Sequence, residues 1–341
     1  MATIYDVAKR AGVSIATVSA VLNRTAFVSP ELTKRVKQAV DEMDYTINHL
    51  AHSLQTRSTH SIGMLIPDVG NPDPFYGQVV RGAEDAFRKK GYQLILGHTY
   101  NQVQEQSRYL SAFRSRLVDG VLLFQAPGED SELDRLLKAK KPIVFVGRIP
   151  AEVQADIVAT DILQGTQMAV EHLLKQGHTR IGLVTVAASM SVSSFRIEGW
   201  RKALKRHGIA ADENYIVRGE LSSDAGKQAG LSLLDLPQPP TAIFADNLVI
   251  ATGILRALQE RGRRVPEDVE VASSDDAEWL DVFDPPITTI VQPSYQLGFQ
   301  SAELLLKRIR HPKRAHQKIL LKPELKIRSC GKTPARTQVS Q

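Results

Sequence analysis

The chain has 341 residues, 43% hydrophobic and 23% charged, with a formal net charge of +6, a size and balance that predict two or three soluble globular units. No apolar run approaches the roughly 18 residues of a membrane span, the N-terminus lacks the basic and apolar regions of an export signal, and the lone Cys330 excludes a disulfide framework or a multi-cysteine zinc site; a cytoplasmic protein is expected. The basic excess lies mostly at the far end, because residues 1–60 carry seven Lys/Arg against five Asp/Glu while residues 307–336 carry eleven against Glu324 alone. A solvated helix face and tail is the stronger reading of that second stretch, and a C-terminal nucleic-acid arm the weaker one.

From the N-terminus, Thr3 predicts the cap of a first helix whose apolar stripe is Ile4, Val7 and Ala8. Ala11-Gly12-Val13 reads as a tight turn, and Ser14 as the cap of a second helix with Val18, Val21 and Leu22 inward. Ala8, Gly12 and Val18 have the spacing of a helix-turn-helix, although any two short helices in a small bundle share it. Ser29 and Pro30 open a third helix that turns Leu32, Val36, Ala39, Val40 and Met43 inward.

The motifs Thr3-Ile4-Tyr5-Asp6-Val7-Ala8, Ala11-Gly12-Val13-Ser14, Thr17-Val18-Ser19 and Val21-Leu22-Asn23 resemble the head of the LacI/GalR family of bacterial transcription regulators. Val28-Ser29-Pro30-Glu31 and Tyr45-Thr46-Ile47-Asn48 continue the match. The resemblance implies that the second helix enters the DNA major groove, where Ile15, Ala16 and Ala20 face bases. The family often has Arg where Ala20 stands, so direct readout here is expected to be modest, with Arg24 or the hinge adding to it. Thr17, Ser19 and Asn23, with the cap residues Thr3 and Ser14, are expected to position the head; ordinary solvent-facing polarity is the alternative for Thr17 and Ser19.

Asn48-His49-Leu50-Ala51-His52-Ser53-Leu54-Gln55 resembles the family's hinge helix. Eight residues are too few for a stable isolated helix. The resemblance implies that two hinges from a homodimer pair in the minor groove, with Leu54 wedged between base pairs; packing of Leu54 on the body is the alternative. His52 stands where the family favours Arg.

Beyond Ser61, strand-like runs alternate with amphipathic helical ones, at Ile62–Ile66, Gln93–Gly97, Gly120–Phe124, Ile143–Val146, Ile181–Val186, Ala242–Ala245 and Val269–Ala272. Ile62-Gly63-Met64-Leu65 is echoed by Ile181-Gly182-Leu183-Val184, and Gly82, Ala86, Phe87 and Gly91 by Gly199, Ala203, Leu204 and Gly208. Two similar lobes sharing a cleft are the simplest account. The expected fold is therefore an N-terminal all-α helix-turn-helix head plus an α/β two-lobed periplasmic-binding-protein-like sensor domain. Its expected divisions are a head at 1–46, hinge and linker at 47–58, one lobe at 59–160 with 292–322, the other at 161–291 with 323–330, and a tail at 331–341. The family resemblance implies that the chain crosses between the lobes three times, expected near Ala159–Asp161, Val291–Pro293 and Leu321–Glu324.

The cleft is the expected site for a small-molecule effector. Phe75 or Tyr76, after the first strand, could stack on a sugar-like face. Arg148, Arg196 and Asp275 match cleft residues of the family; Asp161 stands where the family favours Asp-Asn, and Asn247 and Asp246 stand just upstream of Leu248, where it favours Asp. A paired Arg196 and Asp275 would suit a sugar or sugar acid, and a structural ion pair is the other reading of these charges. Trp279 reads as core more readily than as cleft lining. The pattern departs from the family at Thr160-Asp161, Leu248 and Ser273-Ser274, all beside the expected pocket, so no relative's ligand transfers directly.

No nucleotide-binding glycine fingerprint, nucleophile elbow or His-Glu-x-x-His motif occurs, so neither catalysis nor a bound cofactor is expected. His172 and His178 read as solvated. A periplasmic solute receptor would share the sensor fold but lack the head. The expected protein is a repressor of a metabolic operon, binding double-stranded operator DNA as a homodimer. The residues after Cys330 contain no leucine heptads for a higher assembly.

Overall fold

The computed structural model describes residues 2–23, 26–45, 58–67, 74–149, 154–187, 191–285 and 287–328. Arg24, the hinge-like segment with His52 and Leu54, and the tail lie outside them. The chain divides into two units, Met1–Thr59 and His60–Gln341.

The first unit contains α1 (Ile4–Ala11), α2 (Ile15–Asn23) and α3 (Pro30–Glu42). Thr3 caps α1 in a reciprocal box, its Oγ1 accepting from Asp6 N at 3.4 Å while Asp6 Oδ2 accepts from Thr3 N at 2.9 Å. These bonds hold the Asp6 carboxyl below its ordinary value. Gly12 ends the helix at φ +63°, a left-handed conformation that a side chain would strain. Arg35 of α3 lies across this turn and donates to the carbonyls of Ala11 and Gly12. Ser14 caps α2 through Thr17 N (3.1 Å), and Ser29 caps α3 through Leu32 N (3.4 Å). Val7, Ala8, Ala11, Val18, Val36 and Ala39 close the core. It is small because the helices are short, which suits a docking module.

In the second unit, β1 (Ser61–Ile66), β2 (Gln93–His98), β3 (Gly120–Leu123), β4 (Ile143–Val146) and β5 (Asp156–Thr160) form one sheet with β11 (Lys318–Leu321). Its order is β11-β5-β4-β3-β1-β2, parallel throughout. A second sheet contains β6 (Ile181–Val186), β7 (Ile216–Gly219), β8 (Ala242–Ala245), β9 (Glu270–Ser274), β10 (Thr288–Val291) and β12 (Glu324–Lys326). Its order, β12-β10-β9-β8-β6-β7, repeats the first, with only the β10–β12 pair antiparallel. The echo between Ile62 and Ile181 thus corresponds to two sheets wound alike. The chain changes sheet between β5 and β6, between β10 and β11, and between β11 and β12.

Helices cover both sheets: α4 (Phe75–Arg88), α5 (Val103–Ala112) and α6 (Ser131–Lys138) in one lobe, then α7 (Ile162–Lys175), α8 (Ser191–Arg206), α9 (Ser223–Leu234) and α10 (Leu248–Glu260) in the other. After β10, α11 (Ser294–Arg310) returns to pack on α4. That contact is backbone to backbone. A Cβ on Gly298 would lie 1.9 Å from the Val79 carbonyl oxygen, and one on Gly82 would lie 2.0 Å from that of Tyr295. Gly298→Ala should therefore force the two helices apart and lower unfolding free energy by about 1–3 kcal/mol. Urea denaturation of the variant checks this; an unchanged midpoint would refute the close approach.

Five strands lie outside the seven sequence candidates. β7, β11 and β12 are short edge strands with half-exposed residues, and β10 opens with two Thr before Ile290 and Val291. β5 is wholly buried but begins with a charged residue, Asp156, that breaks the apolar pattern. Part of the C-terminal positive charge is also internal: Arg308 and Arg328 are buried, which corrects the expectation of a purely solvated face.

Candidate functional site

A cavity of about 80 Å³, partly open to solvent, lies between the lobes. Strand ends build it, as parallel sheets favour, because loops leaving the carboxyl ends converge there. One wall is aromatic: Phe75 and Tyr76 open α4 and meet edge to face at 5.1 Å, and Tyr76 meets Phe124 at 5.3 Å. Arg148, just past β4, donates to the Gln125 carbonyl and to Asn101 Oδ1 (2.6 Å). Burial pushes its pKa down, opposed by Tyr76 and by the charge of Asp246.

The facing wall is polar. Arg196 on α8 pairs with Asp246 at 3.0 Å and donates to the Asp246 carbonyl, also at 3.0 Å. Asp246 Oδ2 accepts from Thr185 Oγ1 at 2.6 Å and from Val186 N at 3.0 Å. Asp275, at φ +68°, accepts from Gln292 Nε2 at 2.6 Å, and Gln292 lies in the second lobe crossing. Asn247 reaches the cavity while its Oδ1 caps α10 through Ile250 N at 3.0 Å. The site offers paired charges and an apolar wall, which suits a ligand with hydroxyls on one face and C–H groups on the other.

On the first unit, the opening of α2 is outward-facing. Ile15 is 38% exposed, Ala16 is exposed, and Thr17, Ser19 and Ala20 are half-buried around the buried Val18. Ser14 and Thr17 join their hydroxyls at 2.9 Å. A helix N-terminus with an exposed apolar tip and a hydroxyl pair at its start can approach a groove edge and a phosphate together.

The family model for bacterial regulatory proteins of the lacI family matches residues 3–48, and that for a periplasmic binding protein-like domain matches residues 170–330. The ribose operon repressor of Escherichia coli (strain K12) is 36% identical over 326 residues, spanning 95% of this chain and 98% of that protein. The chain belongs to the LacI family. Among solved structures, the Lac repressor bound to ONPG in its repressed state is similar at a TM-score of 0.84 and 28% identity, covering 96% of this chain and 99% of that one. A complex of the transcriptional regulator CelR with cellobiose is similar at 0.74 and 31%, covering 97% and 100%. LacI-family relatives of this length are DNA-binding transcription regulators, and no helix among the described residues is long and apolar enough to cross a membrane.

Within this LacI-family cleft, Phe75, Tyr76, Arg148, Arg196, Asn247 and Asp275 all line the cavity, and Asp161 does not. Asp161 Oδ1 instead caps α7 through Gln164 N at 2.9 Å, a position where any Asp at a helix start is used locally. The expected partnership of Arg196 with Asp275 also needs correction, because Asp246 takes that role. Asp246 directly follows β8, and its place one residue past a buried strand, just upstream of Leu248 where the family favours Asp, is the signal that flags it. Trp279 is 43% exposed, edge to face with Phe283, and borders the outer cleft instead of joining a core. His178 is not solvated: it is buried between Thr241 Oγ1 (3.0 Å) and Glu270 Oε2 (2.9 Å). His172 is half-buried, and burial holds its imidazole below the ordinary value. In the head, the Thr3 hydroxyl donates to Asp6 Oδ2 at 2.7 Å within the α1 cap.

Proposed function

We propose that this LacI-family chain is a homodimeric repressor whose heads grip a pseudo-palindromic operator, and whose cleft takes a sugar-like effector that resets that grip. The observation that carries the effector reading is the cavity itself: strand-end charges on one side, three packed aromatic rings on the other, and Arg196 Nε buried in it with no partner among the described residues. A buried donor left unpaired costs free energy that a ligand oxygen would restore. Two similar proteins, a ribose operon repressor and a regulator complexed with cellobiose, agree with a sugar. Ile15, Ala16 and Ala20 meet bases; Ser14, Thr17, Ser19 and Asn23 steady the helix on phosphates; Arg24 adds contacts beside it. The chain acts by binding and not by catalysis.

A second copy is supported by the edge strand β2, which shows Ile95 and Leu96 at 42% and 44% exposure. An open apolar edge is a liability unless a partner covers it. Paired hinges would then place two Leu54 side chains in one minor groove.

Selection of bound duplexes from a random pool tests this. The recovered motif should be two inverted half-sites around a central step, and Leu54→Ala should weaken its binding on the order of 100-fold while sugar affinity holds. A motif without inverted symmetry, or full affinity in that variant, would contradict the reading.

A further inference from the structure

We propose that Asp246 makes the cleft selective for uncharged sugars over sugar acids by serving as the built-in anion of Arg196; the inference rests on the cleft being the effector site. The cations of this cleft do not wait for a ligand carboxylate. Arg196 and Asp246 pair at 3.0 Å with side chains only 4% and 5% exposed. The carboxylate is held from behind as well, since its second oxygen accepts from Thr185 Oγ1 and Val186 N at 2.6 and 3.0 Å. Those bonds hold it at the ends of β6 and β8, where an incoming anion meets it instead of displacing it.

Arg148 gives its donors to the Gln125 carbonyl and the Asn101 amide oxygen, and its charge faces Asp246. Asp275 adds a second carboxylate at the same cavity. Among the described lining residues two guanidiniums and two carboxylates therefore already balance, and a sugar acid would bring a third negative charge against two buried carboxylates. Like charges repel strongly where water is scarce. An uncharged hydroxyl avoids that repulsion and can still accept from Arg196 Nε, which is buried and has no partner among the described residues.

Calorimetric titration of the full chain against matched pairs tests the inference: D-ribose with D-ribonate, D-glucose with D-glucuronate, and cellobiose with cellobionate. The neutral member of a binding pair should win by on the order of 100-fold. Asp246→Asn should cut that ratio at least about tenfold, or reverse it, by freeing Arg196 for an anion. Should that variant fail to fold, Thr185→Val, which loosens the Asp246 carboxylate, should lower the ratio in the same direction. An acid binding the wild-type chain as tightly as its neutral partner overturns the inference while leaving the effector reading intact. An unchanged ratio in the folded variant removes Asp246 from the selection. If no member of either series binds, the effector reading fails and this inference falls with it.

Discussion

A chain lacking residues 1–58 should bind sugar as the full chain does and lose its operator completely. The head's buried cluster, from Val7 to Ala39, is drawn only from residues within the first unit. The buried clusters of the sensor begin at Ile62 and include nothing earlier. Neither unit needs the other to fill its core, so truncation leaves the cleft intact. Specific operator complexes are roughly 10³–10⁷ tighter than nonspecific ones, so the loss should be total in a gel-shift or anisotropy assay. Retained operator affinity in the truncated chain would place DNA recognition outside the head.

The second large effect concerns stability. Arg308→Ala should cost about 3–5 kcal/mol, because it leaves an uncompensated charge inside the fold. Asp156 is 0% exposed, and Arg308 holds its two oxygens from Nε at 2.8 Å and Nη2 at 3.2 Å. The same guanidinium gathers the carbonyls of Pro312 (3.0 Å), Arg314 (2.6 Å) and Ala315 (3.2 Å), binding the end of α11 to the β5–β11 pair. A thermal melt should fall by roughly 10 °C. A loss smaller than about 1 kcal/mol by denaturant titration would mean that the clamp is worth no more than a surface ion pair.

The same residue marks the boundary of what the sequence makes legible. Arg308 sits among Lys307, Arg310, Lys313 and Arg314, a run that looks solvated throughout. Its burial depends on Asp156, far away in the chain, and no local pattern reports that. The caps were readable because they act within three residues: Thr3 on Asp6, Ser14 on Thr17, Ser29 on Leu32. The central strands were readable because burial on both faces demands unbroken apolar runs. Edge strands β7, β11 and β12 meet no such demand. In the cleft, strand-end position together with the family resemblance located six lining residues. It did not determine which carboxylate would meet Arg196, because Asp246 and Asp275 directly follow neighbouring strands β8 and β9, and only the packed geometry separates them. His178 was misread for a similar reason: Glu270, which buries it, is remote in sequence.

The central claim is that occupancy of the cleft is coupled to the grip on DNA. Once a binding sugar and an operator are in hand, operator affinity should be measured with and without saturating sugar, in the full chain and in Arg196→Ala. The wild-type affinity should change by about 5- to 150-fold, the usual range of such coupling, and the variant's should not respond. Equal operator affinity in the wild-type chain at zero and saturating sugar would contradict the coupling outright.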